Sequence, residues 1–329
     1  MKAIRVHQFG SPEVMQLEEI PAPEPGVGEV VMRVHAIGVN PFDTRLRAGQ
    51  VMKPPLPFIP GEDAAGVVAA VGEGVTSVKV GDRIYGGQCH TGTYAELLLY
   101  KDSEVYPLPD RISFSQGACI KGPYFTAHYA LFGRGRGTAG ETVLVHGASG
   151  GVGIASVQIA RMSGFHVIGT ASSERGRSLV LESGAHAVVD HSDSHYINEL
   201  LELTGGRGFD LILEMKSDVN LAKDAKLIAP GGRIVMIGGQ DVGEGMSGRA
   251  EFNPFEILFK NAEIIGLFIT VAPPAEIARI QATVFAGLEN GTLRPIVGQE
   301  MQLAEAAEAH RAIDRSGAYG KIILIPSSK

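Results

Sequence analysis

Residues 142–160, TVLVHGASGGVGIASVQIA, run from β-branched and aliphatic side chains into a glycine-rich turn and then straight into a helical pattern. A dinucleotide diphosphate must approach a helix N-terminus closely enough to bond its free amides, and side chains at the turn would block it. The spacing Ala148-x-Gly150-x-x-Gly153, with Gly151 in addition, is the nucleotide-binding fingerprint with alanine in the first glycine place. A strand pattern precedes it, and Val152, Ala155 and Ile159 share one helical face after it. A plain strand-to-helix turn is the alternative, but the required setting favours a cofactor.

The end of the next strand bears on which cofactor. An NAD site usually places a carboxylate there to hold the ribose hydroxyls. The segment HVIGTASSERGR instead offers Thr170, Ala171, Ser172 and Ser173, then Arg175 and Arg177. Hydroxyls and a guanidinium suit a 2′-phosphate, which a carboxylate would repel. Glu174 is the one contrary charge, and its side chain can point into solvent. The balance favours NADPH, with a solvated helix start as the bland reading of both arginines.

These residues need a scaffold. From residue 1 to about 111, short segments such as EVVMRVHAIGV and TYAELLLY alternate with PAPEPGVG and KPPLPFIPG, which suggests a twisted, partly closed β domain. After Ser113 strand patterns at 142–147, 166–171, 187–190, 210–215, 233–239 and 263–268 alternate with helical ones, the rhythm of βαβ units and a parallel sheet. A further helix is expected over 273–287, a short strand in GKIILIP, and an irregular, mobile loop over 240–254. Both termini are expected to complete the β domain, with boundaries at 1–118, 119–264 and 265–329.

With 329 residues the chain is long enough for about two domains, each able to bury a core. A net charge of −7 without long runs of either sign is a poor footprint for nucleic acid or an anionic membrane. Cys89 and Cys119 show no paired spacing, which fits a reducing compartment. MKAIRVHQFG lacks the apolar core of a signal peptide, and no apolar run reaches membrane-spanning length. The expected location is cytoplasmic.

VLVHGASGGVG, GVNPFDTRLRAG, PYFTAHYAL and EMKSDVNLAKD together resemble the zeta-crystallin type of NADPH:quinone oxidoreductase, a zinc-free branch of the medium-chain dehydrogenase/reductase superfamily. The similarity runs from Met1 to about Pro326. It implies an α/β fold in which a Rossmann doubly wound parallel sheet is inserted in a GroES-like, mainly β catalytic domain, with NADPH in the cleft. The resemblance places Ser149, Gly150, Gly151 and Val152 around the diphosphate, beside the Gly153 of the fingerprint. It further implies Ser172 near the adenosine phosphate, His191 at the adenine edge, and Asn220 inside the cleft. Ile237, Gly238, Gly239 and Gln240 are implied cofactor contacts, as is Arg315 in the C-terminal segment. Asn40 and Thr126 match positions close to the nicotinamide. Two departures stand out: Val51 replaces a family tyrosine that covers the cofactor, and Lys121 lies near a normally apolar strand.

Zinc relatives in the superfamily bind a catalytic ion through Cys, a His-Glu pair and water, and Asn40 and Gly61 here replace the Cys and His. Glu62 and Asp63 alone make a poor zinc site. Cys89-His90 is a tempting half-site, more simply read as a loop thiol and a surface imidazole, so no metal is expected. His35 reads as a strand residue with a satisfied hydrogen bond.

Without a metal or an obvious acid, reducing an ordinary ketone lacks its stabiliser for the developing alkoxide. A quinone asks for less, because its ring stabilises the reduced oxygens. Asn40 is the candidate for positioning it, or a turn residue before Pro41. Asp43 either orients Asn40 or caps the following segment. The expected partner is a quinone or other electron-poor carbonyl compound. Reduction of an enone double bond, or a non-catalytic structural or RNA-binding role, are the alternatives. The resemblance implies a homodimer or homotetramer, and AEIIGLFIT is either an edge strand that joins two sheets or an interior one.

Overall fold

Strands begin at once. Lys2–Val6 (β1) pairs antiparallel with Met15–Glu19 (β2), and an isolated bridge joins Ala3 to Ala95. The structure, a computed structural model, describes residues 1–87, 91–239, 248–315, 317 and 319–326. The chain divides into two compact units: Met1–Gly122 with Arg294–Arg315 and Gly320–Lys329, and Pro123–Leu293 with Ser316–Tyr319.

The first unit continues with Glu29–Gly38 (β3), Pro41–Ala48 (α1), Asp63–Val71 (β4), Arg83–Gly87 (β5), Leu97–Lys101 (β6), Val105–Pro107 (β7) and the short helix Phe114–Gly117 (α2). Lys121–His128 (α3) follows and carries the chain into the second unit.

Within the second unit come Thr142–Val145 (β8), Gly151–Met162 (α4), His166–Thr170 (β9), Glu174–Glu182 (α5), Ala187–Val189 (β10), Tyr196–Leu203 (α6), Phe209–Glu214 (β11), Ser217–Leu227 (α7), Ile228–Met236 (β12), Pro254–Leu258 (α8), Glu263–Gly266 (β13) and Pro274–Asn290 (α9). Val297–Gln302 (β14), Ala306–Ile313 (α10) and Lys321–Ile325 (β15) return to the first.

Among the described residues the first unit's large sheet runs β14-β15-β3-β4-β5-β7, with β6 also on β3. Alternation along β3 explains its place. Val30, Met32 and Val34 are buried while Arg33 and His35 are exposed, so one face joins a core with Ile4, Val68, Leu98 and Leu324. Antiparallel register sets Gly38 opposite both Asp63 and Ile323. His35 does lie in this strand, and its ring stacks on Phe114 at 4.2 Å.

The second unit's sheet is parallel throughout, in the order β10-β9-β8-β11-β12-β13. Renumbered along the chain this is 3-2-1-4-5-6, the doubly wound Rossmann order. Its strands are near-continuous apolar runs because both faces are covered, and Val143, Leu144, Val145, Val167, Ile168, Ile212 and Ile234 are all buried. AEIIGLFIT supplies β13 at the sheet edge, so the interior reading is set aside. The helix expected over 273–287 forms as α9 and lies in this unit with β13. No helix among the described residues is long and apolar enough to cross a membrane.

Candidate active site

In doubly wound sheets ligands bind beyond the carboxyl ends of the strands where the order reverses, here between β8 and β11. The turn after β8 is built for close approach. Gly147 has φ +55°, a region that favours glycine, and its N–H donates to Thr170 Oγ1 at 3.2 Å. The Ala148 N–H donates to Thr170 O at 2.8 Å, tying this turn to the end of β9. Gly150 caps α4, and helix geometry leaves the N–H groups of Gly151, Val152 and Gly153 without intrahelical acceptors. A Cβ on Gly153 would stand 2.4 Å from Gly147 O and 2.6 Å from Ala148 Cα. Ser149 is buried against Gly176.

The other expected nucleotide residues gather on neighbouring strand ends. Ser172 follows β9, and its carbonyl accepts from Arg177, which also pairs with Asp190 at 2.5 Å. Ser173 caps α5 by accepting from the Gly176 N–H. Arg175 is exposed, and its guanidinium lies 3.7 Å above the Tyr319 ring. Beyond β12, Ile237 N–H donates to Glu214 O, and the Ser217 hydroxyl donates to Gly238 O at 2.7 Å. A Cβ on Gly239 would meet Asp218 at 3.1 Å. Asn220 donates from Nδ2 to Glu214 Oε1 at 3.2 Å. His191 is exposed after β10. Thr126 is buried in α3. Gln240, like Cys89, His90 and residues 241–247 of the loop, lies outside the described residues.

Sequence reasoning missed a cluster beneath these strand ends. His146, Glu214 and Asp224, all buried, are the one group among the described residues whose ligand atoms are close enough to hold a metal ion. His146 Nε2 lies 2.9 Å from Asp224 Oδ1 and 3.5 Å from Glu214 Oε2. Burial alone would push the imidazole pKa down, but the two carboxylates outweigh it and hold it above the ordinary value. A proton thus already bridges the charges. The signal available in the sequence was His146 directly before the glycine turn; its partners lie 78 and 68 residues on.

The first unit holds Asn40. It precedes α1 with its side chain turned away from the helix, donating from Nδ2 to Asp63 Oδ2 at 3.0 Å. Its Oδ1 accepts from Lys321 Nζ at 2.6 Å, and Lys321 also donates to Asp63 Oδ2 at 2.6 Å. Asp63 Oδ1 accepts from the Gly122 N–H at 2.8 Å. Close by, Lys121 is nearly buried with its pKa lowered by desolvation, and Glu62 is pushed up to about 7 by burial and then by Asp63.

Asp43 is fully buried and takes the capping place. It accepts from the Asn40 main-chain N–H at 2.9 Å and from the Tyr94 hydroxyl at 3.2 Å, and burial above all raises its pKa well beyond the carboxylate range. Arg47 faces His310 Nδ1, so His310 Nε2–H donates to Tyr94 at 2.9 Å, and the chain of donors ends on Asp43. Burial, then Arg47, depresses His310 to about 3. An imidazole held neutral stabilises the fold above its ordinary 6.5 and loses that contribution as pH falls from 6.5 towards 3. Circular dichroism melts between pH 7 and 4 should therefore fall more steeply for the native chain than for His310→Gln. Equal slopes would contradict a buried neutral ring.

Arg315, the last of the expected cofactor contacts, pairs with Glu308 at 2.9 Å in the first unit.

Residues 26–110 match the family model of the alcohol dehydrogenase GroES-like domain, and residues 151–283 that of the zinc-binding dehydrogenase. A quinone oxidoreductase of Rattus norvegicus is 44% identical over 328 residues, covering 99% of this chain and 98% of its own. The chain belongs to the quinone oxidoreductase family. Among solved quinone oxidoreductases, that of Escherichia coli complexed with NADPH is 27% identical with TM-score 0.89, covering 99% of this chain and 100% of the other. Mycobacterial Rv1454c complexed with NADPH is 29% identical with TM-score 0.89, at the same coverage.

A catalytic zinc does not fit this quinone oxidoreductase at the place the superfamily would use. Asn40 and Gly61 bring neither thiolate nor imidazole, and the Lys321 ammonium already occupies Asn40 Oδ1 and Asp63. A dinucleotide does fit the β8 turn, where the missing Cβ of Gly153 is what allows close packing.

Proposed function

We propose that the chain is an NADPH-dependent quinone oxidoreductase that works without a metal. The observation that carries this is the turn at residues 147–153, which sets the start of α4, with the main-chain N–H groups of Gly151, Val152 and Gly153 free of intrahelical acceptors, at the switch point of a 3-2-1-4-5-6 sheet. Full-length identity to quinone oxidoreductases supports the acceptor class.

NADPH supplies hydride chemistry when bound. Gly151, Val152 and Gly153 present amides to its diphosphate, flanked by Ser149 and Gly150, and the positive end of the α4 dipole adds to the attraction. Arg175, held over Tyr319, and Ser172 receive the 2′-phosphate. His191, Asn220, Ile237, Gly238, Gly239 and Arg315 complete the proposed contacts, and Thr126 and Asn40 serve the nicotinamide end. Asn40 orients the quinone oxygen. Asp43 acts on Asn40 through its main chain and is a positioning residue.

We assign catalysis to the first unit and the nucleotide to the second. The edge position of β13, with Phe268 and Val271 exposed beyond it, supports a homodimer or homotetramer. The lack of paired cysteines in the sequence supports a cytoplasmic location.

Turnover of a naphthoquinone and a 2-alkenal side by side with NADPH tests the reading. The quinone is expected to be reduced faster; faster alkenal reduction would make the protein a double-bond reductase. Arg175→Glu is expected to lower kcat/KM for NADPH by about 10- to 100-fold while leaving NADH within about threefold, because the carboxylate repels only the 2′-phosphate. Retained preference for NADPH would refute the phosphate assignment.

A further inference from the structure

One feature of the Asn40 site goes beyond holding a side chain still. The amide is gripped at both ends by opposite charges: the Lys321 ammonium lies on its oxygen at 2.6 Å, and the Asp63 carboxylate accepts from its nitrogen at 3.0 Å. Lys321 and Asp63 are buried, with side chains 3% and 1% exposed, so water screens these contacts little. A cation at the oxygen and an anion at the nitrogen favour the same resonance form, with negative charge on O and positive charge on N. The cation is what strengthens the one Nδ2–H that Asp63 does not take, and the carboxylate holds the amide in the orientation that leaves this N–H over.

The surroundings are shaped for this arrangement. A Cβ on Gly38 would stand 2.3 Å from Lys321 Cε, and one on Gly122 would stand 2.6 Å from Asp63 Oδ2. Strand register brings the groups together: Asp63 opens β4 opposite Gly38, while β15 carries Lys321 alongside β3. Asp63 keeps its second oxygen on the Gly122 N–H, which fixes its orientation.

We propose that Lys321 and Asp63 are positioning residues, Lys321 polarising the Asn40 amide through its oxygen and Asp63 orienting it through its nitrogen, so that its remaining N–H stabilises negative charge developing on a quinone oxygen. This rests on the quinone reductase reading above. Overall, NADPH is oxidised to NADP⁺ and the quinone gains two electrons and two protons; one proton arrives with the transferred hydrogen and the other from water. Asn40 gives up no proton. Lys321 supplies a fixed positive charge where the zinc relatives rely on a metal.

The test uses the full-length protein and quinones spanning a range of reduction potentials. An electron-poor quinone needs little help at its oxygen, whereas an electron-rich one needs much. Lys321→Gln, which keeps a hydrogen-bond donor and removes the charge, should cut kcat/KM about tenfold for electron-rich quinones and about twofold for electron-poor ones. Asn40→Ala should show the same steepened dependence with a larger loss, on the order of 10²-fold. In the Asn40→Ala background Lys321→Gln should add almost nothing.

A second readout needs no NADPH. The infrared carbonyl stretch of bound 1,4-naphthoquinone should lie below its solution value in the native protein and move back towards it in Lys321→Gln. A merely structural lesion would slow all quinones equally and leave the carbonyl band in place, which overturns the proposal. If Lys321→Gln does not fold, Lys321→Met, apolar and of similar length, carries the same test. Absence of quinone turnover in the native protein would overturn the parent reading, and this one with it; uniform loss across quinones overturns this one alone.

Discussion

His146→Leu is expected to destabilise the nucleotide-binding unit by about 3–5 kcal/mol, the range for removing one partner from a buried charge cluster. The imidazole is the cation between Asp224 at 2.9 Å and Glu214 at 3.5 Å, and none of the three reaches solvent to any extent. Among the described residues Glu214 Oε2 and Asp224 Oδ2 have no hydrogen-bond partner, so without the imidazole two carboxylates would face each other in a dry interior. Burial pushes the Glu214 pKa up to about 7, which lets a proton relieve part of that repulsion and makes the loss greater at high pH. Chemical denaturation followed by circular dichroism measures it. Replacing all three groups by apolar residues of similar size should recover most of the loss. A His146→Leu variant as stable as the native chain would remove the charge account.

Gly153→Ala is expected to weaken NADPH binding about 100-fold. The added Cβ would meet main-chain atoms only, Gly147 O at 2.4 Å, Ala148 Cα at 2.6 Å and Ala148 C at 2.7 Å, and none of these can swing aside as a side chain would. The start of α4 must move away from the turn, carrying with it the amides of Gly151 and Val152. A displacement near 1 Å is enough to cost roughly 100-fold in a preorganised site. Calorimetry with NADPH checks it, with Gly266→Ala as control, since nothing lies within 4 Å of a Cβ there. Unchanged heat of binding in Gly153→Ala would show that the turn does not hold the diphosphate.

Much of this was legible in the residues themselves because the signals are local. The glycine spacing, the strand before it and the helical face after it occupy one continuous stretch, and main-chain sterics there leave few options. The βαβ rhythm predicts a parallel sheet, and the right-handed crossover restricts its winding. Likewise, Asn40 before Pro41 and Asp43 three residues on form one local unit, the start of a helix, and hydrogen-bond as such.

What the chain order cannot express is who meets whom across strands. Asn40 takes its meaning from Lys321, 281 residues away, which carried no motif and sits in an ordinary-looking strand, GKIILIP. Asp63, which with Glu62 makes a poor zinc site in the sequence, gains its role only from the register of β3, β4 and β15, which sets it against that ammonium. His146 read as part of a strand end, and only the folding of α7 over β11 turned it into the cation between two acids. A charge's role depends on its burial and on the nearest opposite charge, and both are properties of packing. Local steric and periodic constraints are therefore written in the sequence. The electrostatics of this protein's sites were decided by the tertiary structure alone.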